Sequence, residues 1–204
     1  MVDIYSGICY LTRYERTGKA NNSEDIIMRT KDLVYIAIGA ALIAVCAWIT
    51  VPYIVPFTLQ TFAVFLVTNL LGGKRGTLSV LVYILLGAVG LPVFAGFKGG
   101  MGALLGTTGG YIIGFIFSAL LMWALEKHSK KSIIINALVM LLALLVCYVF
   151  GTTWFMYVYT KRNEAVTLLT VLGWCVIPFI IPDLVKIALA LFMSRNKGLR
   201  KVAE

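Results

Sequence analysis

Acidic residues are scarce in this chain and histidine is almost missing. Nine Asp and Glu and one His stand among 204 residues, against eighteen Lys and Arg. The lone His128 sits in a polar run beside Lys127, Lys130 and Lys131, so no second imidazole is at hand for a metal site. A solvated loop histidine is expected there, and no metal or cofactor. Paired cysteine spacing is also absent. Cys9, Cys46, Cys147 and Cys175 are far apart, and three of them fall inside apolar segments, as small buried hydrophobes do. Charged residues of both signs make up only 13% of the chain while 60% is hydrophobic, and the mean hydropathy is +0.93. Ordinary soluble domains are far more polar than this, which excludes a soluble catalytic domain and leaves the lipid bilayer as the main solvent.

The formal net charge of +9 would suggest nucleic acid if the basic residues clustered on a soluble face among aromatics. They stand instead at the ends of apolar runs, where cations meet lipid phosphates, so no nucleic-acid partner is expected.

Residues 1–30 are polar and mixed, without an apolar core for a signal peptide. They read as a poorly ordered arm, and Met28-Arg-Thr-Lys31 reads as a natural start ahead of the first span. Apolar runs read as membrane spans are predicted at about Leu33–Val51, Leu59–Leu71, which is short, Leu78–Val93, Gly110–Leu125 and Ile133–Val158. A further run from Ala165 to Met193 is interrupted by Pro178 and Pro182, and prolines four apart break a helix. A short interfacial or re-entrant helix is therefore expected before Pro178, and a sixth span from near Pro182. The fold class is an all-α membrane protein of six transmembrane helices over residues 31–197, followed by a basic tail, residues 198–204.

Orientation follows from the basic residues at span ends. Eleven lie on one side (Arg29, Lys31, Lys74, Arg75, Lys127, Lys130, Lys131, Arg195, Lys197, Arg200 and Lys201) and three on the other (Lys98, Lys161 and Arg162). The rule then places both termini in the cytoplasm. Two outward breaks remain: the Pro178–Pro182 segment and residues 96–110, which hold seven glycines. Irregular backbone at membrane depth is tolerated only where it is buried in protein or lines a cavity, so the glycine segment is either a tight helix connection or, the favoured reading, part of a binding-site wall. The glycines of Gly72-Gly-Lys-Arg-Gly-Thr77 lack the G-x-x-x-x-G-K-[ST] spacing of a phosphate loop, and a membrane-flanking loop is expected instead. On the first span Ala37 and Ala41, and again Ala40 and Ala44, are four apart. That spacing makes a flat stripe suited to close helix packing, within the chain or on a partner.

Eight of the nine acids lie in polar segments or at span ends; only Asp183 is embedded in apolar sequence, with Lys186 three residues on and therefore on the same helix face. Each such charge costs about 2.5–3.5 kcal/mol at a helix centre on insertion scales, so the pair marks a candidate functional site. The alternatives are a structural ion pair, or a lysine that snorkels to an interface.

Four stretches, VPFTLQTF (55–62), LGGKRGTLSVLVYILLGAVGLPVF (71–94), GGYIIGF (109–115) and PDLVK (182–186), occur in this order and together resemble the BioY family, the biotin-specific S-components of energy-coupling-factor transporters. The resemblance covers about residues 30 to 195. It implies a substrate-capturing subunit in the bacterial or archaeal cell membrane, without enzymatic activity of its own. Its partners would be a transmembrane coupling protein and two ATP-hydrolysing subunits of the ABC type. Ala37 and Ala41 would then meet the coupling protein. Biotin offers ureido N–H donors, a carbonyl, a thioether ring and a carboxylate tail. An ionised Asp183 could accept from ureido N–H, and Lys186 could donate to the carbonyl or the carboxylate. Gln60 would supply an amide contact, Phe57 and Tyr111 would cover ring edges, and Met101 would complete the set. Two other readings remain open: an S-component for another vitamin such as thiamine or riboflavin, and an ion-coupled carrier or membrane enzyme that uses Asp183 as a titrating group.

Overall fold

The structure is a computed structural model and describes residues 30–162 and 166–196. The expected N-terminal arm and basic C-terminal tail lie outside the described residues. The chain divides into two units, Met1–Val34 and Tyr35–Glu204. Of the first, only the opening turn of a helix is described, and all packing below belongs to the second.

The described chain is mostly helical. Helix α1 (Thr30–Trp48) leads into a two-stranded hairpin, β1 (Thr50–Val51) and β2 (Phe57–Thr58). There follow α2 (Gln60–Leu71), α3 (Gly73–Val89), a 3-10 turn at Ala95–Phe97, α4 (Met101–Leu104), α5 (Gly109–Ala124), α6 (Glu126–Ser129), α7 (Ile133–Arg162), α8 (Leu168–Cys175) and α9 (Ile177–Ser194). Among the described residues, three stretches are long and apolar enough to cross a membrane: Thr30–Trp48, Ile133–Lys161 and Leu168–Ser194. Gln60–Leu71 and Gly109–Ala124 are apolar but shorter.

Proline and glycine set the joints. Pro52 and Pro56, which cannot donate to a helix ladder, bracket a turn in which Thr50 pairs with Thr58 and Val51 with Phe57. The expected loop after α2 is not a loop. A single residue, Gly72 at φ 86°, turns the chain, and α3 resumes at Gly73, so Lys74 to Thr77 belong to its first turns. The expected break between the two prolines is also displaced. The chain breaks at Val176 (φ −123°, ψ −56°), ahead of both. Pro178 falls in the first turn of α9, where an N–H would have no partner in any case, and Pro182 one turn on is accommodated inside the helix at the loss of one ladder bond. The short helix expected before Pro178 is present as α8, capped by Thr167, whose hydroxyl accepts from the Thr170 N–H.

The core is built on the contact of α5 with α7, with α2 packed against α3 and α9. Small residues let these backbones close on one another. A methyl group at Gly110 of α5 would strike Trp154 of α7, and one at Gly151 of α7 would strike the Tyr111 ring of α5. On α1, Gly39 lies against Ser79 and Val67. At one end of the bundle Asn69 donates to Ser194 at 3.0 Å and accepts from Asn136 at 3.2 Å, tying α2, α9 and α7 through polar groups. Cys46, Cys147 and Cys175 are free and buried, as the sequence suggests. His128 is exposed on α6.

Candidate functional site

Helix α9 presents Asp183 and Lys186 to the interior on one face, 2% and 7% exposed. Three residues is just under one helical turn, so the two side chains meet. The Lys186 ammonium donates to Asp183 Oδ1 at 2.7 Å. Facing them from α7, the Tyr148 hydroxyl donates to Asp183 Oδ2 at 2.6 Å. Each carboxylate oxygen thus holds one donor and keeps further lone-pair capacity, while the ammonium keeps two N–H groups beyond the one used.

The pair is not sealed in a closed interior. Asp183, Lys186 and Tyr148 all line a cavity of about 710 Å³, within the range of small-molecule sites. Most of its other walls come from three places. The hairpin segment and the start of α2 contribute residues between Thr50 and Thr61, Phe57 not among them, the glycine segment contributes residues between Phe94 and Thr108, Met101 not among them, and α5 contributes Tyr111, Ile112 and Phe115. The glycine segment is therefore cavity wall, as its composition suggests, and Gly96, Gly99, Gly102 and Gly106 are all in the lining.

The candidate residues separate by position. Asp183, Lys186, Gln60 and Tyr111 come together in the lining. Gln60 is 4% exposed and its Nε2 has no hydrogen-bond partner among the described residues, a donor at the cavity wall left free for a ligand. The Tyr111 hydroxyl pairs with Thr152 Oγ1 at 3.1 Å. Phe57 is not in the lining. It stacks on Phe179, ring centroids 4.1 Å apart, and Phe179 is the ring that reaches the cavity. Met101 is 56% exposed and also outside the lining. It opens the four-residue helix α4, where one residue of rotation is about 100°, so its neighbours Gly102 and Ala103 face the cavity in its place. The alanine stripes divide too: Ala40 and Ala44 are buried against the core, whereas Ala37 and Ala41 are exposed. Tyr148 escapes the sequence reading. Its only signal is a hydroxyl in the middle of a long apolar run, where a buried Tyr O–H needs a partner.

A helical bundle that spans the membrane several times, with a buried charge pair at the wall of a cavity of small-molecule size, defines a multi-pass membrane protein built to hold a polar solute. Comparison with known proteins narrows that class. The model of the BioY family matches residues 18–203. "Probable biotin transporter BioY" of Pyrococcus horikoshii is 41% identical over 170 residues, 83% of this chain and 97% of that protein. "Biotin transporter BioY" of Thermotoga maritima is 52% identical over 102 residues, a match spanning 50% of this chain and 60% of that protein. Among solved structures, the S-component for biotin from an ECF-type ABC transporter superposes with a TM-score of 0.74 at 29% identity, covering 86% of this chain and 95% of that one. The chain belongs to the BioY family.

Proposed function

We propose that this chain is the biotin-capturing subunit of an energy-coupling-factor transporter. The buried Asp183–Lys186 pair at the wall of the 710 Å³ cavity carries the reading. The names of the relatives above, a biotin transporter, a probable biotin transporter and an S-component for biotin, support it. A ureido group presents N–H donors beside a carbonyl acceptor, and the pair presents the complement, spare carboxylate lone pairs beside spare ammonium N–H groups. Gln60 Nε2 supplies a further donor, and Phe115, Phe179 and the Tyr111 ring provide apolar cover for the bicyclic ring.

In this reading residues 31–197 form one domain that crosses the cell membrane six times, with both termini cytoplasmic. The asymmetry of Lys and Arg supports that orientation. The protein captures solute and leaves ATP hydrolysis to a pair of ABC-type subunits joined to it by a coupling protein. Exposure of Ala37 and Ala41 on α1, beside the buried Ala40 and Ala44, supports a docking stripe for that coupling protein.

Equilibrium binding of labelled biotin to the detergent-purified protein tests the reading. Binding is expected for the parent and lost in both Asp183→Ala and Lys186→Ala while each remains folded. Unchanged affinity in both variants overturns the site. A thermal-stability panel of biotin, thiamine and riboflavin then decides the vitamin, since only a true ligand raises the melting temperature appreciably.

A further inference from the structure

The described residues that line the cavity include three charged side chains: Asp183, Lys186 and Lys98. The first two neutralise one another at 2.7 Å. What remains is one uncompensated positive charge, and it belongs to Lys98. This lysine is exposed whereas the Asp183–Lys186 pair is buried, so the cavity runs from a cationic mouth to a neutral, hydrogen-bonding floor. Gly102 leaves open space in the lining, since an added Cβ there would meet no atom within 4 Å.

Lys98 is held in place by its loop. The Phe94 N–H donates to the Lys98 carbonyl at 2.9 Å, closing a tight turn. The Phe94 ring is buried edge-on against Tyr83 and fills the space over Gly87. Before Lys98 stands Phe97 at φ 57°, a left-handed conformation that bulky residues rarely adopt. Its ring stacks on Trp48 at 5.2 Å, and Trp48 Nε1 donates to the Pro92 carbonyl at 2.8 Å, bracing the loop from outside. A cation on a braced loop loses less freedom on pairing than one on a floppy chain.

We infer that Lys98 receives the carboxylate of the bound acid. The ligand then enters tail-outward, with its polar ring against Asp183 and Lys186 and its acidic end at the mouth. The inference rests on the biotin reading and fixes which end of that molecule meets which charge. It also assigns Lys98 a steering role, since a charge at the rim acts mainly on association and on its salt dependence.

The test compares biotin with its neutral methyl ester on the purified full-length protein, for the parent, Lys98→Arg and Lys98→Glu. The parent is expected to bind biotin about two- to fivefold more tightly than the ester, the range for an exposed ion pair. The arginine variant keeps that preference. Lys98→Glu loses or inverts it and slows biotin association, and a ligand-free melting temperature equal to the parent's shows that the variant is folded. An unchanged biotin-to-ester ratio in Lys98→Glu overturns the inference while leaving the biotin reading intact. Failure of the parent to bind either compound overturns the biotin reading, and the assignment of Lys98 with it.

Discussion

Replacing Lys186 by Met removes the ammonium from a carboxylate that is 2% exposed and leaves its volume nearly unchanged. Breaking a buried ion pair by deleting one partner costs about 3–5 kcal/mol, because the other charge stays behind uncompensated. Here Asp183 keeps one donor, the Tyr148 hydroxyl on Oδ2, so the lower end of that range, about 3 kcal/mol, is expected. Asp183→Leu strands the ammonium instead and is expected to cost about 4 kcal/mol, since Lys186 retains no other anionic partner among the described residues. The double variant carries neither charge. Its loss should fall below the sum of the two single losses by about 2 kcal/mol or more, the coupling that a double-mutant cycle measures. Thermal unfolding of the four purified proteins, followed by intrinsic fluorescence, gives the stabilities. Labelled-biotin binding should be absent from all three variants, including the double one that is restored in stability. Simple additivity of the two losses would refute the idea that the charges act as a pair, and biotin binding by the double variant would refute their role in recognition.

Tyr148→Phe removes the donor to Asp183 Oδ2, a hydrogen bond to a charged group worth about 1.5–3 kcal/mol, and a corresponding fall in biotin affinity is expected by equilibrium binding. Gln60→Met deletes the buried Nε2 donor that has no partner among the described residues; the ligand-free protein should gain about 1 kcal/mol or more in thermal unfolding while biotin affinity drops, an exchange of stability against recognition. Gly151→Ala drives a methyl into the Tyr111 ring and should destabilise the protein by about 1–3 kcal/mol, measured by the same unfolding assay. Ala41→Leu, on the exposed stripe of α1, should leave biotin binding intact and weaken co-purification with the coupling protein.

The floor of the cavity was legible in the sequence because a charge in apolar surroundings is costly wherever it lies, and Asp183 with Lys186 has no bland neighbourhood to hide in. Glycine density in residues 96–110 was legible for a similar reason: such backbone needs protein around it. Helix existence followed from apolar runs, but joints did not. Gly72 turns the chain in one residue where six polar or small ones suggested a loop, and Pro182 rides inside α9 because the break had already been made at Val176. Facing was the least legible property. The four-residue spacing of the alanines is the same for both stripes, and only packing decides that Ala40 and Ala44 turn inward. Met101 and Phe57 sit beside lining residues rather than among them, a displacement of one position that no composition reveals. Tyr148 gave little warning because its role depends on Asp183, which is 35 positions away and meets it only in the folded bundle.

The reciprocal seating of α5 on α7 constrains how such a scaffold can diverge. Trp154 rests where Gly110 has no side chain, and Tyr111 rests where Gly151 has none, so each helix carries both a socket and a plug for the other. Sliding either helix by a turn would leave both plugs without sockets, and enlarging either glycine would prise the joint apart. This seam therefore fixes the axial setting of the two helices that carry Tyr111 and Tyr148. Variation in what the molecule accepts is channelled away from the seam and toward the hairpin and the glycine-rich wall, where a changed side chain alters the chamber without disturbing the frame.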